Sequence, residues 1–148
     1  MRKTLLAVAV AAVALVPTLA LASGQTMSPV LSSNLSGRAE IPKGDPDGKG
    51  LAVLHLNASK GTVCWAFKGV ARIGTPNAAH IHKGRARTAS GPVVVPLGSR
   101  YKATGCTKAA KKLIEAIETH PNNYYVNIHN AKYPAGAIRG QLVAGMVG

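Results

Sequence analysis

The chain has 148 residues and a formal net charge of +13, from 18 Lys and Arg against 5 Asp and Glu. This length suits one domain, and so few carboxylates argue against the paired acids of a glycoside hydrolase. Aromatic residues make up 4% of the chain, which argues against a specific nucleic-acid partner bound by base stacking. The positive charges are scattered, which is typical of a solubilising surface; attraction to an anionic surface is the functional alternative.

The first 22 residues predict a secretory signal peptide. A basic start at 1–3 precedes an apolar stretch at 5–16 and the sequence ALA at 20–22, the order that a Sec-type signal requires. The stretch is shorter than the about 20 apolar residues of a membrane helix, so we expect no transmembrane span in the mature chain. An uncleaved N-terminal anchor is the alternative. We therefore expect a secreted or periplasmic protein.

Short segments of alternating apolar and polar residues, separated by turn-forming residues, predict strands. In chain order, they are a segment ending near Ile41, then 50–57, 62–70, 80–82, 92–97, 125–129 and 137 to about 147. The segments 42–48 and 83–91 predict loops, the second of them basic, and 98–106 predicts irregular structure.

One helix is predicted between Thr107, which can cap its N-terminus, and Pro121, which ends it. Its apolar residues recur at helical spacing. They are Ala109, Ala110, Leu113, Ile114 and Ile117. About seven to eight short strands with one inserted helix favour a mainly β fold, an antiparallel β-sandwich or Greek-key barrel.

The chain contains two cysteines, Cys64 and Cys106. In an oxidising compartment such a pair predicts one disulfide, with Cα atoms about 4.4 to 6.8 Å apart. It would close a loop of about 40 residues and stabilise the fold by roughly 3 to 4 kcal/mol. Metal ligation by the two thiolates is the alternative, although no CxxC motif is present.

Two predicted strands carry three of the five histidines. Side chains alternate faces along a strand. His80 and His82 therefore share one face of their strand, and Tyr125, Asn127 and His129 share one face of the other strand. We expect the three imidazoles to meet, with nitrogens within about 4 Å of one another, as ligands of copper or zinc with one open coordination position. The alternative is a packed polar seam in which Asn127 and Tyr125 satisfy the imidazoles by hydrogen bonds.

No other catalytic pattern is present in the sequence. The chain lacks a G-x-S-x-G elbow, a P-loop and a dinucleotide-binding fingerprint. We therefore predict no catalytic residues, and a binding module is favoured over an enzyme.

Five segments in order carry a resemblance to a known family. They are LSGRAEIP at 35–42, AAHIHKG at 78–84, GPVV at 91–94, YYVNIHN at 124–130 and YPAGAIRGQL at 133–142. The chain resembles the CHRD domain, named after chordin and also found in many secreted bacterial proteins, over about residues 30–145. The resemblance implies an extracellular, β-rich domain that binds an unidentified extracellular or cell-envelope ligand. Chordin binds bone morphogenetic proteins, but a single domain does not inherit that partner.

A weaker resemblance is to copper/zinc superoxide dismutase, with His80, His82, His129 and Arg139 at the matching positions. The bridging histidine has no equivalent, and the loop at 83–91 is basic where that family has zinc ligands. The resemblance therefore implies a similar fold and copper binding more than dismutase activity.

Arg139 has two interpretations. The dismutase resemblance implies a cation that guards an anion path to the metal. The structural alternative is a guanidinium that binds loop carbonyls or pairs with Glu40, in a fork that lysine cannot reproduce. The structural role is favoured.

Overall fold

The computed structural model describes residues 29–145, so the predicted signal peptide at 1–22 lies outside the described residues. The described part contains nine strands, one α-helix and two short 3-10 turns. They are β1 Val30–Ser36, β2 Lys49–Asn57, β3 Thr62–Ala71, β4 Pro76–Lys83, β5 Val93–Pro96, β6 Thr104–Lys108, α1 Lys111–Thr119, β7 Tyr124–Asn130, β8 Ile138–Gln141 and β9 Val143–Ala144, with the turns at Gly37–Ala39 and Pro121–Asn123.

The strands follow the order β5-β4-β7-β8-β1-β2-β3-β6, and β9 pairs with β1 beside this path. Every pairing is antiparallel. The result is a nearly closed antiparallel barrel of eight strands with a single helix. This confirms the mainly β fold class that the alternating segments predicted. Among the described helices, none has the length and apolar character needed to cross a membrane.

The apolar core lies on one face of the strands. Along 54–56 of β2 and the first half of β3 buried residues alternate with more exposed ones, with Leu54, Leu56 and Val63 at 0% exposure and His55 on the outer side. The helix adds Ile114 and Ile117, both fully buried, and so covers this part of the barrel. The hairpin predicted at 50–57 and 62–70 is therefore confirmed.

The first strand ends at Ser36, and the prediction of a strand reaching Ile41 is wrong. At Gly37 the chain turns because the following loop folds back on it. A Cβ on Gly37 would lie 1.7 Å from the carbonyl oxygen of Asp45, so only glycine permits this approach. The turn carries Glu40 into the interior, where it is 2% exposed.

The irregular segment predicted at 98–106 is also corrected, because Thr104–Lys108 forms a strand along β3. Thr107 lies within this strand and cannot cap the helix, whose N-cap is Ala110 without a side-chain hydrogen bond. Cys106 is directly opposite Cys64, and their sulfur atoms lie at disulfide distance, 2.09 Å. Their Cα atoms are 3.9 Å apart, which is below the expected range and also below the about 4.5 Å of the closer kind of antiparallel pair.

The last predicted strand is interrupted. Leu142 is fully buried and donates its backbone N–H to the carbonyl of Tyr124 at 3.0 Å. The chain therefore leaves β8 at this residue and pairs with β1 as β9. Up to residue 145 two strands replace the single one expected from 137 to about 147, whose last residues lie outside the described part of the chain.

Candidate metal centre

Strands β4 and β7 lie side by side in the middle of the sheet and bring the three histidines to one face. His80 is opposite Asn127, and His82 is opposite Tyr125. His129 follows on the same face of β7, two residues after Asn127. The opposite face belongs to the apolar core and carries Ile81, Val126 and Ile128. The alternation that the sequence predicted for these strands is therefore present.

The three imidazoles form one cluster. The ring centroids of His80 and His129 are 4.9 Å apart, those of His80 and His82 are 5.7 Å apart, and those of His82 and His129 are 6.5 Å apart. One ring nitrogen from each lies within 4.8 Å of the others, slightly beyond the expected about 4 Å. Coordination at about 2.0 to 2.1 Å from one ion places tetrahedral ligand nitrogens roughly 3.3 Å apart. Small ring rotations would close the difference.

Backbone carbonyls fix the orientation of two of the rings. Nδ1 of His82 donates to the carbonyl of Gly91 at 2.8 Å, and Nδ1 of His129 donates to the carbonyl of Pro134 at 2.9 Å. Because a neutral imidazole carries one proton, each Nε2 keeps a lone pair. In metal sites, backbone carbonyls that accept from the other ring nitrogen hold the ligand histidines in the same way.

Nε2 of His82 has no hydrogen-bond partner among the described residues, although it is buried. The side chain as a whole is 7% exposed. Burying an acceptor without a partner costs about 1 to 3 kcal/mol, and most buried polar atoms in native proteins are satisfied. This nitrogen therefore carries a lone pair to which no group among the described residues donates.

All three imidazoles are held in the neutral form. The pKa of His80 is lowered to about 4, mainly by burial and in smaller part by the charges of His129 and His82. Burial is also the main cause that lowers the pKa of His82 and that of His129. Contacts with Gly91 and Asn127 oppose the shift at His82. Near neutral pH the cluster thus offers unprotonated nitrogens, the form that binds metal.

The environment of His129 is rich in acceptors. Its Nε2 lies 3.1 Å from Nδ1 of His80 and 3.0 Å from Oδ1 of Asn127. When His129 is neutral and donates from Nδ1, a lone pair faces the amide oxygen. Nδ1 of His80 can donate to this lone pair, and the Asn127 amide can turn to donate to it as well. The seam of hydrogen bonds that was the alternative to a metal site can thus be complete at His129, but it leaves Nε2 of His82 without a partner among the described residues.

Tyr125 supports His82 in two ways. The two rings stack with centroids 4.8 Å apart and planes inclined by 8°. The hydroxyl oxygen of Tyr125 also accepts the backbone N–H of Gly91 at 2.9 Å. Since the carbonyl of Gly91 binds Nδ1 of His82, Tyr125 fixes both the plane of the ring and its hydrogen-bond acceptor.

Arg139 is fully buried beside this cluster and does not face solvent. Its Nε donates to Glu40 at 2.5 Å, and its guanidinium carbon lies 4.6 Å from the centre of the Tyr125 ring. Its terminal nitrogens bind the carbonyls of Ile41, Ala86 and Ala89 and the hydroxyl of Ser90 at 3.1 to 3.4 Å. Both kinds of contact named in the structural interpretation, loop carbonyls and Glu40, are present.

Glu40 is the buried partner of this ion pair. Burial raises the pKa of its carboxyl to about 7, although the charge of Arg139 and its hydrogen bond oppose the shift. The second oxygen, Oε1, has no partner among the described residues. The pair is thus buried, and the charge of Arg139 contributes to lowering the pKa of His82 and that of His129.

The remaining histidines, His55 and His120, are exposed and lie outside the cluster. Sequence reasoning missed the carbonyls of Gly91 and Pro134, because backbone acceptors leave no trace in side-chain patterns. Their only signal is the presence of glycine and proline in the two loops that follow the histidine strands.

The model of the CHRD domain family matches residues 31–142 of the chain. The match includes all three histidines, Arg139 and Glu40. Among curated proteins and among solved structures, no protein matches this chain.

Proposed function

The chain belongs to the CHRD domain family, and we propose that it is an exported binding module without catalytic activity whose histidine cluster binds one copper or zinc ion. The family supports an extracellular setting. The predicted signal peptide and the predicted disulfide support export. The cluster supports the metal, since three imidazoles on neighbouring strands provide ligands and leave a coordination position open.

The buried, unpartnered Nε2 of His82 carries this proposal. A structural hydrogen-bond network would satisfy that nitrogen, whereas a metal ion would use its lone pair directly. The carbonyls that hold Nδ1 of His82 and of His129 leave both Nε2 atoms unprotonated. Binding of an ion would therefore require no change of tautomer at these two rings.

Imidazole ligands suit both copper and zinc, and the stability order of divalent ions favours copper(II) over zinc(II) at a given site. We therefore expect copper(II) to bind more tightly. A bound ion would act as a Lewis acid with an open position for a ligand. Asn127, whose Oδ1 is 3.0 Å from Nε2 of His129, would lie close to such an ion.

The contacts of Arg139 support the absence of dismutase activity. A cation that attracts an anion to the metal must be accessible to solvent, but Arg139 is 0% exposed and its guanidinium is bound to Glu40 and to loop acceptors. We assign Arg139 a structural role, and we propose that Tyr125 and Asn127 orient the histidines.

The test is metal titration of the purified, metal-free chain. We expect about one copper(II) per chain, measured by calorimetry and elemental analysis, and loss of that site in His80→Gln, His82→Gln and His129→Gln. The matched control is the double variant of His55 and His120 to Gln, which removes two exposed imidazoles and should bind copper like the parent.

Two results would contradict the proposal. Equal loss of copper binding in the control and in the cluster variants would show adventitious binding to surface histidines. Turnover of superoxide by the copper-loaded chain would show that the module is an enzyme.

A further inference from the structure

Two adjoining cavities on the described surface are lined by cations. One has a volume of about 370 Å³ and is lined in part by Arg38, Lys43 and Arg87. The other has a volume of about 490 Å³ and includes Arg85 and Arg87. Ala39 and Arg87 line both cavities, which are therefore contiguous. We call the four cationic side chains and the two cavities between them the basic groove.

The charges of the basic groove are not neutralised by the protein. All four side chains are exposed, and within residues 29–145 the ion pairs are Lys111 with Glu115 and Arg139 with Glu40. Glu40 lines the first cavity but is 2% exposed and already faces Arg139. Four like charges around a concave surface raise the local concentration of anions.

The loop that carries Arg85 and Arg87 is anchored between them. Ala86 is 3% exposed; its N–H donates to Oε1 of Gln141 at 2.8 Å, and its carbonyl accepts from Arg139 at 3.4 Å. The two arginines therefore project from a fixed backbone. A ligand that binds them does not have to order the loop, which lowers the entropic cost of binding.

The rest of the lining indicates the class of ligand. Hydroxyl and amide side chains continue the groove beyond the arginines, and no aromatic residue lines either cavity. These uncharged groups are Asn34, Ser36, Thr88 and Gln141. Without aromatic rings the groove cannot stack bases, and its concave shape does not fit the flat surface of a bilayer. Hydroxyls and amides next to cations instead complement a chain of sugars that carries repeated acidic groups.

We propose that the basic groove binds an acidic polysaccharide through Arg38, Lys43, Arg85 and Arg87. The carboxylate or sulfate groups pair with the cations, and the sugar hydroxyls contact the polar part of the lining. This site is separate from the histidine cluster and does not depend on whether that cluster binds metal.

The test measures binding of polygalacturonate to the purified chain in metal-free buffer, with uncharged dextran as the reference. The groove variant replaces Arg38, Lys43, Arg85 and Arg87 by Gln. The control variant replaces Lys60, Lys68, Arg100 and Lys102 by Gln, which removes the same number of exposed charges elsewhere. We expect the groove variant to lose at least about tenfold in affinity at moderate salt, and the control to lose less than about threefold.

Thermal unfolding of both variants verifies that they remain folded, since all substituted side chains are exposed. Equal loss in the two variants would overturn the proposal, because net charge alone would then explain binding. Binding of dextran as tight as that of polygalacturonate would overturn it as well. So would a groove-dependent affinity that is higher for a single-stranded oligonucleotide, or for vesicles of anionic lipid, than for polygalacturonate.

Discussion

Arg139 contributes to stability through a set of contacts that only a guanidinium can make at once. Its nitrogens reach Glu40, loop carbonyls and the hydroxyl of Ser90 while the side chain is fully buried. The ammonium of lysine is a single point and cannot span these acceptors. We expect Arg139→Lys to lower the free energy of unfolding by about 1 to 3 kcal/mol and to leave the copper stoichiometry unchanged.

Denaturant unfolding and elemental analysis check both parts of this prediction. Arg100→Lys is the matched control, because Arg100 is exposed and should tolerate the change. An unchanged stability of Arg139→Lys together with altered metal or anion binding would instead favour the role in an anion path.

Tyr125 is expected to set the affinity of the histidine cluster without being a ligand. Tyr125→Phe keeps the ring that stacks on His82 but removes the oxygen that accepts the N–H of Gly91. Gly91 then holds Nδ1 of His82 less firmly. We expect about a tenfold loss of copper affinity, measured by competition titration, which is the lower end of the effect of removing a group that orients a metal ligand.

Tyr101→Phe is the control for this prediction, since Tyr101 stacks on Phe67 away from the cluster. Nitrogen NMR of the His82 ring gives a readout that is independent of metal, because the Nδ1-protonated tautomer should become less populated in Tyr125→Phe. Unchanged tautomer and affinity would show that Gly91 is held by the backbone alone.

That the histidines of each strand lie on its polar face was predictable, because this depends on strand periodicity alone. Once 80–82 and 125–129 are strands, the polar side chains of each must share a face. The register that sets His82 opposite Tyr125 was not predictable, since it depends on pairing across more than forty residues. The acceptors at Gly91 and Pro134 depend on loop conformation, which the sequence pattern does not encode.

At the scale of elements, β6 shows where sequence pattern fails. Thr104–Lys108 has no alternating apolar face, and its order comes from contacts with β3. Gly105 lies against the ring of Trp65, where a Cβ would approach to 2.5 Å. The strand therefore depends on packing against Trp65 and on pairing with β3 more than on β propensity.

We expect the link between Cys64 and Cys106 to stabilise the fold through the 42-residue separation that it closes. Replacing both cysteines by serine should lower the free energy of unfolding by about 3 to 4 kcal/mol on the chain-entropy model. Because α1 starts three residues after β6 ends, the helix should also become more accessible to protease. Thiol titration of the denatured, unreduced parent should detect no free thiol.

Treatment with reductant is the control for this experiment. It should lower the stability of the parent and leave the serine variant unchanged. Two free thiols in the parent purified under oxidising conditions would contradict the predicted disulfide.

At the scale of the molecule, the barrel buries side chains in two layers of different polarity, one inside it and one between its outer face and the covering loops. The inner face of the strands is apolar, whereas the outer face of β4, β7 and β8 is polar and is covered by loops that bind Arg139. Alternation along each strand predicted the fold class, since one half-buried face requires a second layer. The strand order was not predictable, because β1 pairs with β8, opposite Arg139 at Ser36, across most of the chain.

Two groups in this outer layer change stability with pH in opposite directions. Glu40 has a folded pKa of about 7, above its ordinary value of 4.5. Its stabilising contribution is complete below the unfolded pKa and is lost as pH rises through about 7. The histidines behave in the reverse sense, because their folded pKa values are lowered.

Protonation of the histidine cluster should therefore cause the loss of stability at acid pH. Between about pH 6.5 and about pH 4, His80 is protonated in the unfolded chain but remains neutral in the folded one. The contribution of His80 to the free energy of unfolding therefore falls as pH falls. Because His80 is partly exposed, we expect its share of this loss to be only roughly 1 kcal/mol between pH 7 and pH 5.

Denaturant unfolding of the metal-free chain should show a smaller loss of stability on acidification in His80→Gln and an unchanged loss in His55→Gln. An equal loss of unfolding free energy in the two variants at acid pH would place the titrating groups outside the cluster. Copper affinity should weaken over the same pH range, since protons compete for the same nitrogens.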